Sequence, residues 1–451
     1  LVRSGFLLGF VKLSARFEGY TLGGVSMDLT QEQQKTYNAR HYALAILVLV
    51  YTFSFIDRQI LSILIEPIKN DLNLSDTQMG LLTGFAFAAF YATLGIPIAR
   101  FADRSNRRNL IVASLGVWSL FTALSGLALN FWHLLLARIG VGIGEAGCSP
   151  SAHSMIADYY PAEQRATALG IYSLGIPLGI MFGLFVGGAM EEAFGWRSAL
   201  FVVGVPGIIL AVIVRFTLHE PARGFAEKRT DTGTQPGVVE TLSYLWKKKS
   251  FRHLSFAAGL TAFVGYGFVT WAPAFLSRSF GMGSADIGLW FGLILGIPGA
   301  IGIFLGGYMA DKFGARDPKW YVWISAIALL ICIPANYFVF TSESSFIALV
   351  AMVVPVTLGN FYQATTFSQT QGISELRMRA TAAGILLFII NIIGLGFGPQ
   401  MVGIVSDLLN PEFGKESLRY ALLICSLFYI WAALHFYFAG RHLKNDLVTE
   451  G

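Results

Sequence analysis

The sequence predicts an all-α integral membrane protein with twelve transmembrane helices in two six-helix bundles. Three observations carry that prediction. Hydrophobic residues make up 55% of the chain and charged residues 13%, against about 25% charged in a soluble domain. Twelve apolar runs are each long enough to cross a bilayer, which takes roughly 20 helical residues. One long polar gap, about 219–250, divides them six and six. Glycine is also frequent, at 49 residues, and prolines sit inside apolar runs, as membrane helices tolerate.

Residues 1–40 read as a cytoplasmic N-terminal extension. The Leu/Phe run at 6–13 is interrupted by Lys12 and too short to span, and no cleavage site follows it. Met27-Asp28-Leu29-Thr30 looks like a start, so 1–26 reads as an upstream extension on the membrane surface. The spans then run roughly 41–66, 77–101, 109–129, 131–157, 165–190 and 197–218 in a first bundle, 41–218. After a cytoplasmic linker, 219–250, come 253–278, 286–310, 320–341, 345–371, 380–407 and 419–440 in a second bundle, 251–441. A tail, 442–451, closes the chain.

Orientation follows from the basic residues. Loop 2–3 holds Arg100, Arg104, Arg107 and Arg108, loop 8–9 holds Lys312, Arg316 and Lys319, and loop 10–11 holds Arg377 and Arg379. The opposite loops are poor in bases and include Glu191, Glu192, Glu343 and Glu412. The positive-inside rule therefore puts both termini and the linker in the cytoplasm. The net charge of +5 is a topology signal and implies no nucleic acid. Cys148, Cys332 and Cys425 lie in spans without metal spacing. No nucleotide loop, catalytic triad or metal cluster stands out, so nothing points to an enzyme or to a cofactor.

Span 1 places Asp57 and Arg58 side by side well inside an apolar run. An ionisable residue at that depth costs about 2.5–3.5 kcal/mol on insertion scales, so it faces protein or a water-filled cavity and reads as functional. A structural ion pair is the alternative. Span 4 adds Arg138 and Glu145, two helical turns apart on one face, with glycines at 140, 142, 144 and 147. At 1.5 Å per residue, Asp57 lies roughly 24 Å from the cytoplasmic start of span 1 and level with Arg138. This pairs Asp57 with Arg138 and leaves Glu145 facing the cavity; a buried Arg138–Glu145 pair is the competing arrangement.

The halves repeat. Ala99-Arg100-Phe101-Ala102-Asp103-Arg104-Ser105-Asn106-Arg107-Arg108 leaves span 2, and Gly307-Tyr308-Met309-Ala310-Asp311-Lys312-Phe313-Gly314-Ala315-Arg316 leaves span 8. Arg165-Ala166-Thr167-Ala168 opens span 5 as Arg379-Ala380-Thr381-Ala382 opens span 11. Parallel repeats of six spans are a known transporter build, with the site near midplane between them. Asp103, Arg104, Arg108, Asp311, Lys312, Arg165 and Arg379 are the candidate gate, bridging helices when the cytoplasmic side is shut. A purely topological role for the charged loops is the alternative.

These motifs resemble the major facilitator superfamily over about residues 40–440. Loop 2–3 is similar to its signature G-x-x-x-D-[RK]-x-G-[RK]-[RK], with Ala99 and Asn106 departing from it and Ala315 departing in the second copy. The Asp57-Arg58 pair, with Arg138 and Glu145, resembles a bacterial spinster-like member, from the lysolipid and sphingosine-1-phosphate transporters. Span 5, Gly175-Ile176-Pro177-Leu178-Gly179, is only loosely like the superfamily's exporter motif, and helix packing explains it as well. The resemblance implies a proton-driven carrier of an amphipathic lipid in a bacterial inner membrane, acting as a monomer. Asp57 and Glu145 would couple protons. Arg58, Arg138 and Glu145 would meet the headgroup, with Tyr266, Trp271, Asn360, Gln363 and Thr366 on the second-half wall. A drug or metabolite exporter and a non-transporting membrane sensor are the alternatives.

Overall fold

The computed structural model describes residues 31–102, 105–223 and 236–448, all in helices and short connections. Twelve rods result. The first half holds α1 (Gln31–Ile63) with its extension α2 (Ile65–Leu72), then α3 (Asp76–Gly80) and α4 (Ala86–Ala102) joined through a π-helical turn, Leu81–Phe85. It continues with α5 (Arg107–Ser125), α6 (Phe131–Glu145) and α7 (Cys148–Tyr159) as one rod, α8 (Ala162–Ser173) and α9 (Gly175–Phe194) as the next, and α10 (Trp196–Thr217). A linker helix, α11 (Val238–Lys247), leads to the second half: α12 (Lys249–Phe280), α13 (Ser284–Gly314), α14 (Trp320–Thr341), and the broken rod α15 (Ser345–Gly359) and α16 (Tyr362–Gly372). Last come α17 (Arg379–Ile390) and α18 (Phe397–Phe413), again joined by a π-helical stretch, Asn391–Gly396, then α19 (Ser417–Ser426) and α20 (Phe428–Asp446).

Nine helical segments among the described residues are long and apolar enough to cross a membrane. The last of them, Arg379–Asp446, holds two rods, and the broken rods 76–102 and 131–159 complete the twelve. Caps set several rod starts. Ser75 and Gln78 form a reciprocal capping box at α3, and Asn106 and Asn130 each accept a backbone N–H three residues on. Gly281 ends α12 in the left-handed conformation at φ 65°, which glycine adopts without steric cost. The first rod begins well before position 41, and the last runs past 441.

The core explains the shape. One apolar cluster fills the first half toward its basic end, around Leu47, Leu115, Trp118 and Ile156. A larger one runs through the second half and joins first-half residues Ile60, Leu64, Met79 and Leu184 toward the opposite end. The larger cluster thus joins the halves toward that opposite end. Spans 2 and 11 meet there at their π-helical turns. A Cβ on Gly84 would lie 2.8 Å from the Gly396 carbonyl oxygen, so only glycine permits this approach.

Candidate functional site

The charged residues of spans 1 and 4 do come together, in a different pairing from the one expected. Adjacent residues on a helix point about 100° apart. Arg58 faces Glu145 of α6, its Nε donating to Glu145 Oε2 at 2.6 Å, and Ser54 Oγ donates to the same oxygen at 2.9 Å. The Arg58 guanidinium lies over the rings of Phe55, Phe87 and Tyr91 at 4.9, 5.1 and 4.5 Å. This cage favours a cation. Glu145 therefore does not face the cavity as a free carboxylate.

Asp57 turns instead into the bundle. It is wholly buried, with the Thr122 hydroxyl and the Trp118 indole as its nearest polar neighbours, neither in strict hydrogen-bond geometry with its carboxylate. The expected Asp57–Arg138 pair is absent. Arg138 Nε donates to the Leu82 carbonyl at 3.3 Å and its guanidinium sits 5.2 Å from the Phe87 ring. Close helix approach holds the cluster tight: a Cβ on Gly144 would lie 2.7 Å from the Trp118 nitrogen.

Beside this cluster lies a cavity of about 860 Å³. Phe55 belongs to both, as a wall of the Arg58 cage and of the cavity. Most of the remaining lining is apolar and comes from spans 5, 7, 8 and 10, with Tyr266, Asn360 and Gln363 among it as expected. Asn360 Nδ2 donates to the Val356 carbonyl at 2.7 Å and its Oδ1 accepts from Gln363 Nε2 at 2.8 Å. Two expectations fail. Trp271 is fully buried away from the cavity, its indole donating to the Pro399 carbonyl at 2.8 Å. Thr366 is also fully buried and does not line the cavity, because Gln363, Ala364 and Phe367 occupy the cavity face of α16.

A second charge cluster, not anticipated from the sequence, shuts the end opposite the basic loops. Arg278 at the end of α12 bonds to Glu66 at 2.6 Å and to Asp76 at 2.7 Å. Lys69 Nζ is 2.5 Å from Asp76, and Ser406 Oγ donates to Asp76 at 2.6 Å. Asp407 accepts the backbone N–H groups of Asp76 and Thr77 at 3.1 and 2.7 Å, where the start of α3 offers unpaired donors. Arg278, Lys69 and Ser406 thus converge on one buried carboxylate. These bonds join the two halves at this end. The sequence signal was two basic residues, Lys69 and Arg278, on the base-poor side.

The profile of the Major Facilitator Superfamily matches residues 47–399. The chain belongs to the major facilitator superfamily. It is spinster-like: a bacterial homolog of the human lysosomal transporter spinster, solved inward-facing and unoccupied, superposes with a TM-score of 0.86 at 34% identity over 91% of this chain and 99% of that one. The same homolog, inward-facing and occupied, gives 0.82. An MFS-type efflux pump of Mycolicibacterium smegmatis is 33% identical over 90% of this chain and 94% of its own length. Spinster homolog 1 of Xenopus tropicalis is 27% identical, covering 90% and 83%.

In this major facilitator member the basic end stands apart. Asp311 is exposed and makes no ion pair among the described residues, while Lys312 lies 5.9 Å from the Tyr308 ring. Asp103 and Arg104 fall outside the described residues. Arg108 donates its backbone N–H to Glu220 at 2.8 Å, and Arg165 Nη2 donates to the Ala157 carbonyl at 2.9 Å. Arg379 opens α17. The loop's most engaged residue is its neighbour Arg107, which bonds Glu220 at 2.8 Å, Asp158, Ser154 and the Pro221 carbonyl. Those contacts tie span 3, span 4 and the start of the linker together within one half.

Proposed function

We propose that this transporter moves an amphipathic lipid across the bacterial inner membrane by alternating access, drawing on the proton gradient. The cavity carries the reading: a caged cation, Arg58, lies behind its Phe55 wall without lining it, and a largely apolar chamber of about 860 Å³ extends into the second half. A phosphate-bearing headgroup would compete for Arg58 with Glu145, and guanidinium can bind such a group through two parallel hydrogen bonds. A tail would fill the apolar second-half chamber. With the basic end cytoplasmic, the conformation is inward-facing, latched outside through Arg278 and Asp76. Asp311 makes no ion pair among the described residues in that state, as expected of a residue that bridges helices only when the cytoplasmic side shuts.

Coupling falls to Asp57 and Glu145. A buried ionised carboxylate without a partner is costly, and Asp57 can be satisfied by a proton or by the approach of Arg138. Protonation of Glu145 would release Arg58. Either event changes which charges remain buried when the halves rock, which is how a ligand with different affinity for two states shifts their balance.

The test is flux of lysophospholipids and sphingoid phosphates into sealed liposomes holding the purified protein, with and without a pH gradient. Gradient-dependent uptake of either lipid is expected, with a matching thermal shift, since a ligand that binds the native state raises apparent stability. Flux of common drugs but of no lipid would favour the exporter reading, which the efflux-pump relative supports. Binding without flux would favour a sensor.

A further inference from the structure

The linker was read as a polar gap, yet it contains helix α11, and that helix has two unlike faces. Thr241 and Leu245 are fully buried where α11 packs on α12 and α17. Val239, Leu242 and Trp246, spaced three and four apart, form a stripe on another side and are 81%, 39% and 42% exposed. Nothing in the chain covers this stripe among the described residues.

The stripe continues into the protein's lipid-facing surface. The Trp246 ring lies 6.2 Å from Phe256 of α12, Phe256 lies 5.5 Å from His435 of α20, and His435 lies 6.1 Å from Trp431. His435 also faces His253, Nδ1 to Nδ1 at 3.0 Å. Amphipathic rings of this kind gather at the membrane–water boundary. Phe256 is seven residues into its rod, roughly 10 Å along it, so a Trp246 that reaches Phe256 sits at headgroup depth.

The charges match. Lys247, Lys249 and Arg252 cluster at the α11–α12 corner and make no ion pair among the described residues, whereas the neighbouring Lys248 donates to the Asp446 carbonyl at 2.6 Å. The one acidic residue of α11, Glu240, lies at its far end. A helix with an apolar stripe and a basic margin lies in the plane of the interface.

We propose that α11 is a membrane-surface helix whose Val239–Leu242–Trp246 stripe enters the leaflet on the basic side, and whose Lys247, Lys249 and Arg252 hold the headgroup of an anionic phospholipid of that leaflet. This site lies outside the transport cavity. Because α11 packs on spans 7 and 11, a bound lipid fixes the second half to the leaflet while the first half moves.

The test reads Trp246 fluorescence in nanodiscs, isolated as the difference between the parent and Trp246→Phe. Brominated phosphatidylcholine should quench it. Brominated phosphatidylglycerol at equal mole fraction should quench it more, reflecting an enrichment of about fivefold per basic side chain at the surface. In Lys247→Gln/Lys249→Gln/Arg252→Gln that preference should vanish while quenching by brominated phosphatidylcholine stays unchanged, which also shows the helix still in place. Absence of quenching by either lipid puts the stripe in water and overturns the proposal. Equal quenching by both lipids in the parent overturns the headgroup site.

Discussion

The fourth rod of each half shows the deepest contrast in the molecule. In the first half it carries Arg138 and Glu145, both nearly inaccessible, and Glu145 meets a cation from span 1. In the second half it carries Asn360 and Gln363, neutral amides that satisfy each other and border an apolar chamber. The two halves are repeats by sequence, yet among the described residues only the first carries charge on its fourth rod at this depth. Charge at that depth costs energy, and neutral amides cost less. On the proposed function this difference would divide labour: the first half would respond to protons and headgroup charge, and the second would accept apolar bulk.

The largest effects should come from the charged half. Glu145→Ala leaves the Arg58 cation buried without its carboxylate, a loss of about 3–5 kcal/mol of stability, and should abolish flux. Glu145→Gln keeps the shape and should remain folded by thermal melt while flux still disappears. Retained flux in that variant would remove Glu145 from the coupling.

Arg58→Ala should weaken binding of a phosphate-bearing lipid by about 10- to 100-fold, the value of a hydrogen bond to a charged group. Arg58→Lys should restore only part of it, because ammonium acts as a point charge. Full rescue by lysine would show that charge alone suffices. Arg138→Ala, by contrast, should act on conformation more than on binding, since Arg138 lies beneath Phe87 and bonds the Leu82 carbonyl.

An intermediate effect is expected at the outer latch. Asp76→Asn should shift the population toward states open at that end, read by distances between labels on α2 and α18. An unchanged distance distribution in that variant would remove Asp76 from the latch.

The smallest effects belong to the neutral half. Asn360→Ala should lower lipid affinity by about fivefold, the worth of an ordinary hydrogen bond. Thr366→Val should leave affinity unchanged, because Thr366 faces away from the cavity.

Legibility followed the same divide. Asp57, Arg58, Arg138 and Glu145 stood out because ionisable residues are rare in apolar runs, and the twelve-rod plan followed from spacing alone. Their pairing was not legible. Depth along a helix can be counted, but its rotation is set by packing, here by Gly142 and Gly144 drawing α6 against Phe87 and Trp118. Arg278 and Asp76 were missed because charges at helix ends are common, and only folding brings residues 202 positions apart together. The stripe of α11 was present as Val239, Leu242 and Trp246, masked by the Thr/Gly-rich segment before it.

The central claim is that Asp57 is the proton-linked element of the charged half. It is tested by paired spin labels at Asn109 and Arg316, one exposed site in each half at the basic end; all three native cysteines are buried. The parent should redistribute between short and long distances as pH changes between about 5 and 8. Asp57→Asn should still bind lipid yet hold one distribution throughout. A variant that shifts with pH as the parent does would contradict the account and move the switch to Glu145.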